Sequence, residues 1–214
     1  MLFETFLNYV PKLLNIGLPK AKAHQKMVPP NIAELLINCD FAKIIPKNAA
    51  VLLLVYPKRF QAHLVMIIRS SYNGVHSSQI AFPGGKEEPE DLTLQQTALR
   101  ETYEEIGVPI SKMKVIRALT EVYIPPSNYM VYPFLAYSNE NLTFKLQEDE
   151  VAGLVELPLE DLLHDALLTT KTMQTSYAEN VEVPGFYINN HFVWGATAMI
   201  LSELKESIKI VHKA

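Results

Sequence analysis

A helix that gathers three carboxylates along one edge constrains this 214-residue chain more than any other stretch. Its ends are written locally. Thr93-Leu94-Gln95-Gln96 is a capping box, with Thr93 at the cap and Gln96 at the third helical position. Gly107 supplies the left-handed residue that closes the other end. Between them, at about 100° per residue, Glu101, Glu104 and Glu105 fall within a sector of roughly 100°. Ala98, Leu99, Thr102 and Ile106 form the neighbouring, more apolar face. The acids are therefore expected at the margin between core and solvent, with Arg100 beside them.

Three carboxylates this close repel one another, by a few tenths of a kcal/mol per exposed pair and by more when partly buried. Arg100 offsets only part of that. A divalent cation offsets the rest, and hard oxygen donors select Mg²⁺, which keeps waters and bridges to substrate phosphates. On its own, Glu-x-x-Glu-Glu is an ordinary solvated face. Phe82-Pro83-Gly84-Gly85 ahead of the helix changes the weighing, because two glycines let a backbone approach a ligand closely.

The rest of the chain reads as mixed α/β. Leu2, Phe3, Phe6 and Leu7 have helical spacing over the first ten residues, and 17–30 reads as a connecting segment. Ile32, Leu35 and Leu36 suggest a short helix. Ala49–Tyr56 and His63–Arg69 are strand candidates joined by a hairpin loop over Pro57–Gln61. A long polar stretch, 70–79, follows. Further strands are expected over Val115–Tyr123 and Met130–Tyr137, a short helix after Pro158, and a helix from Val193 to the end.

Composition excludes several classes. A net charge of −4 argues against a general nucleic-acid binder. Cys39 stands alone, so there is no disulfide scaffold. The longest apolar run, Ala49–Tyr56, falls far short of the ~20 residues a bilayer crossing needs. The N-terminus lacks a basic leader and is broken by Glu4 and Pro11, unlike a secretory signal. The expectation is a reduced, cytoplasmic protein with no membrane partner. The six histidines show no paired metal spacing, and His76 reads as a hydrogen-bonding loop residue.

The stretch Gly85–Val108 resembles the Nudix box: Gly, a spacer, an acid, a second spacer, then Arg-Glu-x-x-Glu-Glu-x-Gly-apolar. Arg100, Glu101, Glu104, Glu105, Gly107 and Val108 match; Asp91 replaces the usual Glu, one extra residue separates it from Arg100, and Thr102 fills a normally apolar position. A narrower resemblance, to coenzyme A diphosphatases, runs through Ile67-Ile68-Arg69-Ser70, Ile80–Gly85, Glu150-Val151, Pro158-Leu159 and Trp194-Gly195-Ala196-Thr197. Gly74 and Ser78 differ from that subfamily's pattern, which has Arg and Gly there.

The resemblance implies a Nudix-type α/β/α sandwich with a mixed β-sheet, spanning 46–214 behind an N-terminal helical extension and linker at 1–45. It implies metal-dependent hydrolysis of a diphosphate bond by water, in coenzyme A or a derivative, giving 3′,5′-adenosine bisphosphate and 4′-phosphopantetheine. Glu101, Glu104 and Glu105 would hold Mg²⁺ or Mn²⁺, helped by the Gly84 carbonyl. Arg100 would orient the carboxylates, Gly84 and Gly85 shape the substrate loop, and Arg69 hold phosphate. The general base is open between Glu101 and Glu150. Two other readings stand beside this one: hydrolysis of another nucleoside diphosphate derivative or nucleotide, and a Nudix-fold binding protein without turnover. A homodimer using apolar N-terminal residues is a further expectation.

Overall fold

The structure is a computed structural model that describes residues 1–30, 32–33, 44–70, 79–174 and 180–213. In chain order its main elements are α1 (Phe3–Asn15), α2 (Ala21–His24), β1 (Lys47–Lys58), β2 (Gln61–Arg69), β3 (Ile80–Ala81), β4 (Gly84–Lys86) and α3 (Leu94–Ile106). Then come β5 (Lys114–Ala118), β6 (Val122–Ile124), β7 (Tyr129–Tyr137), β8 (Val151–Pro158), α4 (Leu159–Leu163), β9 (Leu168–Met173), β10 (Val181–Ile188), β11 (His191–Trp194) and α5 (Gly195–Lys213).

The main sheet is mixed. Its order is β3-β2-β1-β7-β5, with β4 on β1, β6 on β7 and β8 on β2; β9–β11 form a second, three-stranded sheet. Strand β1 organises it, pairing antiparallel with β2 and β4 and parallel with β7. The parallel pair needs a crossover, and α3 lies within it. Alternation along β1 then divides the core. Leu52, Leu54 and Tyr56 pack with Ala98, Leu99 and Ile106 of α3. Leu53 and Val55 pack with Phe6 and Leu13 of α1 and Leu201 and Leu204 of α5. A one-residue slip of β1 would exchange these two sets, so burial on both faces fixes its register. The result is the expected α/β/α sandwich.

Several local expectations need correction. The β1–β2 connection is two residues, not five: Arg59 and Phe60 both have positive φ, 49° and 64°, matching the twist of a tight hairpin without glycine. The strand expected over Val115–Tyr123 is two strands, β5 and β6, because Thr120 turns its N–H and hydroxyl to Glu203. Pro11 does not end the first helix, which continues to Asn15; burial of Phe3, Phe6 and Leu13 outweighs the lost backbone bond. The final helix starts at Gly195, and Val193 belongs to β11, paired with Phe186. Leu35, Leu36, Cys39, Gly74, His76 and Ser78 lie outside the described residues. Among the described residues, no helix is long and apolar enough to cross a membrane.

Candidate active site

Helix α3 is closed at both ends as its sequence predicts. Thr93 Oγ1 accepts from the Gln96 N–H (3.2 Å), Gln96 Oε1 accepts from the Leu92 N–H (2.8 Å), and Gly107 is left-handed with φ 72°. Thr102, at its normally apolar position, donates its hydroxyl to the Ala98 carbonyl at 2.6 Å and is fully buried.

With the helix so fixed, the three glutamates meet three different environments. Glu105 faces inward and is 1% exposed. Its Oε2 accepts from the Gly84 N–H at 2.8 Å, and its Oε1 lies 3.7 Å from Arg69 Nη1. Burial pushes its pKa up to about 8; the Gly84 N–H and Arg69 oppose this, while Glu101 and Glu150 add to it. Glu101 is half-buried. Burial raises its pKa too, against the pull of Arg100 at 3.2 Å. Glu104 is half-exposed and turns to Arg100, 2.9 Å away.

Strand β4 makes the approach of Glu101 and Glu105 possible. Gly84 and Gly85 pair with Val51 and Ala50 of β1. A Cβ on Gly85 would occupy the place of the Glu101 carboxylate, and one on Gly84 would strike the Ala50 carbonyl and Val51. Gly84 also has φ 150°. Here a missing side chain is what brings carboxylate and backbone together.

Arg100 orders this edge. It holds Asp91 through two bonds, Nε to Oδ1 (3.0 Å) and Nη2 to Oδ2 (2.9 Å), and also donates to the Lys86 carbonyl at 3.1 Å. The hydrogen bonds from Arg100 hold the Asp91 carboxyl far below the usual carboxylate range. Asp91 is thus a positioning residue that spacing alone showed only as a displaced acid. Arg69, at the end of β2, keeps its buried Nε without a hydrogen-bond partner among the described residues. Glu150 sits beside it: the Ser70 N–H donates to the Glu150 carbonyl at 2.9 Å, and its charge reaches both Glu101 and Glu105.

The structure therefore brings together Arg69, Gly84, Gly85, Glu101, Glu105 and Glu150, and turns Glu104 aside. Among the described residues no three His, Cys, Asp or Glu side chains form a ready metal cage. The donor set nevertheless fits a hard divalent cation. A buried, under-compensated Glu105 and a Glu101 seated on Gly85 supply oxygen donors, and Mg²⁺ commonly needs only one or two carboxylates beside its waters.

A cavity of about 300 Å³ borders the same glycines. Tyr123 and Tyr129 line it, whereas Tyr132 and Phe134 pack in the α3-side core.

Comparison with known proteins gives a consistent picture. The family model described as NUDIX domain matches residues 46–177. A Yersinia pestis protein named Uncharacterized Nudix hydrolase NudL is 32% identical over 184 residues, covering 85% of this chain and 89% of the relative. Its Yersinia enterocolitica namesake is 34% identical over 147 residues, covering 69% and 74%. A Nudix hydrolase from M. smegmatis, RenU, shares the fold with a TM-score of 0.53 at 19% identity, covering 77% of this chain and 87% of that one. A MutT/nudix family protein from Enterococcus faecalis does so with a TM-score of 0.51 at 14% identity, covering 87% and 72%.

Proposed function

This chain belongs to the Nudix family and is a Nudix hydrolase acting on a nucleoside diphosphate derivative, and from that premise we propose that its substrate is coenzyme A or a derivative. Cleavage of the diphosphate gives 3′,5′-adenosine bisphosphate and 4′-phosphopantetheine. Residues 46–214 form the hydrolase domain in this reading, and 1–45 an N-terminal extension and linker, of which α1 packs on the core.

The family's divalent cation, Mg²⁺ or Mn²⁺, would be held by Glu101 and Glu105, with Glu104, turned to Arg100 in the free protein, in a lesser role. When bound it supplies charge that neutralises the diphosphate and acidifies water. The remaining work belongs to the chain. Arg69, whose side chain is partly exposed, donates from its guanidinium to a phosphate oxygen. Gly84 and Gly85 shape the substrate loop by letting the Glu101 and Glu105 carboxylates close on β4. We assign the general base to Glu150, because Glu101 is engaged by Arg100 and pressed on Gly85. Glu150 takes a proton from water; the water oxygen bonds to phosphorus, and the bridging P–O bond breaks, leaving its electron pair on the departing phosphate.

One observation carries the chemistry: a carboxylate buried to 1% exposure, with its pKa near 8, placed against a diglycine strand and the Arg69 guanidinium. Coenzyme A itself rests on the Ile67–Gly85 resemblance. The test is incubation with Mg²⁺ and coenzyme A, ADP-ribose, dinucleotides and triphosphates, with products identified by mass. Coenzyme A should be cleaved fastest. Cleavage of another member with coenzyme A untouched assigns a different substrate.

A further inference from the structure

The turn that carries Glu150 has to be held where its neighbours push it out. Glu148, Asp149 and Glu150 are consecutive and exposed, and the charge of Glu150 reaches Glu101 and Glu105. Like charges repel, so an untethered turn would swing toward water. The structure ties it on two sides. On one side the Gln147 N–H donates to the Glu105 carbonyl at 2.9 Å, which fixes the start of the turn to the end of α3. The Gln147 carbonyl accepts from the N–H groups of Glu150 (3.0 Å) and Val151 (2.8 Å), closing the turn on itself. On the other side stands Ser70, the residue after Arg69. Its N–H donates to the Glu150 carbonyl at 2.9 Å, and its hydroxyl donates to the Glu148 carbonyl at 3.2 Å.

A β-bulge makes this second tie possible. Strands β2 and β8 keep a regular antiparallel register from His63 opposite Pro158 to Ile68 opposite Gly153, and then Arg69 stands opposite Val151. Ala152 is left over. In an unbroken register Ser70 would meet Val151, and Glu150 would lie one position past it. The extra residue also turns Val151 over. Val155 and Leu157 pack in the α5-side core, whereas Val151, an even number of positions away, packs in the α3-side core. A bulge has this effect on the face a strand presents.

We propose that Ser70 is a positioning residue for the hydrolysis, clamping the turn over 148–150 so that Glu150 stays at the reacting centre. The inference rests on the assignment of Glu150 as general base, and not on which substrate is cleaved. The other ties run from main chain to main chain and survive any side-chain change. The Ser70 hydroxyl is the tie that a substitution can remove. Its one hydrogen is spent on the Glu148 carbonyl, so it acts on the turn and not on a phosphate oxygen.

The test uses the full chain with Mg²⁺ and whichever member of the substrate panel is cleaved fastest. Ser70→Ala should lower kcat about tenfold, from a smaller displacement than the roughly 1 Å that costs a reacting group a hundredfold. KM should stay within about twofold, and Tm within about 2 °C, because the lost bond lies at the surface. Ser70→Thr keeps the hydroxyl and should keep kcat within about twofold. The decisive measurement is the double variant. Glu150→Gln alone should lower kcat about a hundredfold or more. Adding Ser70→Ala to it should change kcat by less than about twofold, since placing a group that no longer takes the proton is idle. A Ser70→Ala loss that persists undiminished beside Glu150→Gln overturns the proposal. So does a loss that falls on KM, which would put the hydroxyl on the substrate. Parental kcat in Ser70→Ala, with Glu150→Gln impaired, sinks the clamp and leaves the base assignment standing. Parental kcat in Glu150→Gln sinks the base assignment, and the clamp falls with it.

Discussion

Two glutamates are buried to the same degree in this molecule and live under opposite conditions. Glu105 of α3 is 1% exposed and Glu203 of α5 is 0% exposed. Glu203 accepts from the Thr120 N–H (2.9 Å), the Thr120 hydroxyl (2.6 Å) and the Lys20 N–H (3.0 Å), with His24 Nε2 3.5 Å away. Burial pushes its pKa up, but the nearby His24 and the bonds from Thr120 more than reverse this and leave it lowered. Glu105 has one N–H and an arginine at 3.7 Å, and its pKa rises to about 8. A carboxylate that the protein completes is a brace. One that the protein leaves incomplete is built for something that arrives later.

The comparison is sharpened most by Glu105→Gln. The amide keeps the shape and removes the charge, so turnover should fall about a thousandfold. The metal-free variant should also be more stable than the parent at pH 8. The sign follows from linkage. Glu105 binds its proton more tightly folded than unfolded, so between its ordinary value of about 4.5 and about 8 the folded state holds extra proton. Stability of the metal-free protein therefore falls as pH rises through that window, by a few kcal/mol at most. Thermal melts from pH 5 to 8 should show this decline in the parent, a flatter profile in Glu105→Gln, and a flatter parent profile in Mg²⁺. A parent profile that does not decline would break the contrast between the two glutamates.

Glu203→Ala is the mirror experiment. Removing it strands the Thr120 and Lys20 N–H groups and should cost about 3–5 kcal/mol, a fall of roughly 10 °C in Tm. Turnover per folded molecule should change little. Its pH sense is opposite: with a lowered folded pKa, the stabilisation is present above the unfolded value and is lost as pH falls through the folded one. A Glu203 variant that melts normally but loses turnover would reverse the roles assigned here.

What the sequence reveals about these two residues differs for a physical reason. Helix α3 is legible because its caps, its left-handed glycine and its acid spacing are all local. So is the β1–β2 hairpin, though not the Arg59–Phe60 turn, since neither residue is a usual choice at positive φ. Strand β9 was invisible because Leu168–Lys171 are exposed and carry no alternation. Long-range closures leave no local trace either. Glu203 meets Thr120 across 83 residues, and Ser127 and Trp194 come to line one cavity only in the folded chain. Asp91 showed as a displaced acid; only the folded chain brings it onto Arg100.

Gly85→Ala asks whether Glu101 belongs with Glu105. The new Cβ claims the place of the Glu101 carboxylate, a mobile side-chain end, so the fold should survive with Tm within a few degrees. Displacing a reacting-site group by about 1 Å costs about a hundredfold in turnover. Gly84→Ala provides the contrast, since there the collision is with β1 backbone at φ 150° and folding itself should fail. Near-normal turnover in Gly85→Ala would remove Glu101 from the site.

Glu104→Gln should have the smallest effect. Its side chain is 51% exposed and held by Arg100 one turn away, a pair worth about 0.3–0.5 kcal/mol. Water already compensates its charge, so turnover should fall less than about tenfold, against about a thousandfold for Glu105→Gln. Its charge does reach Glu101, whose pKa it helps to raise. Removing it should lower the pKa of Glu101 and shift the acid limb of the pH–rate profile downward, a change that loss of a surface ion pair alone would not produce. A Glu104→Gln loss as large as that of Glu105→Gln would mean that Glu104 leaves Arg100 and swings inward to the cation. Burial in the free protein would then be a poor guide to which carboxylates the metal recruits.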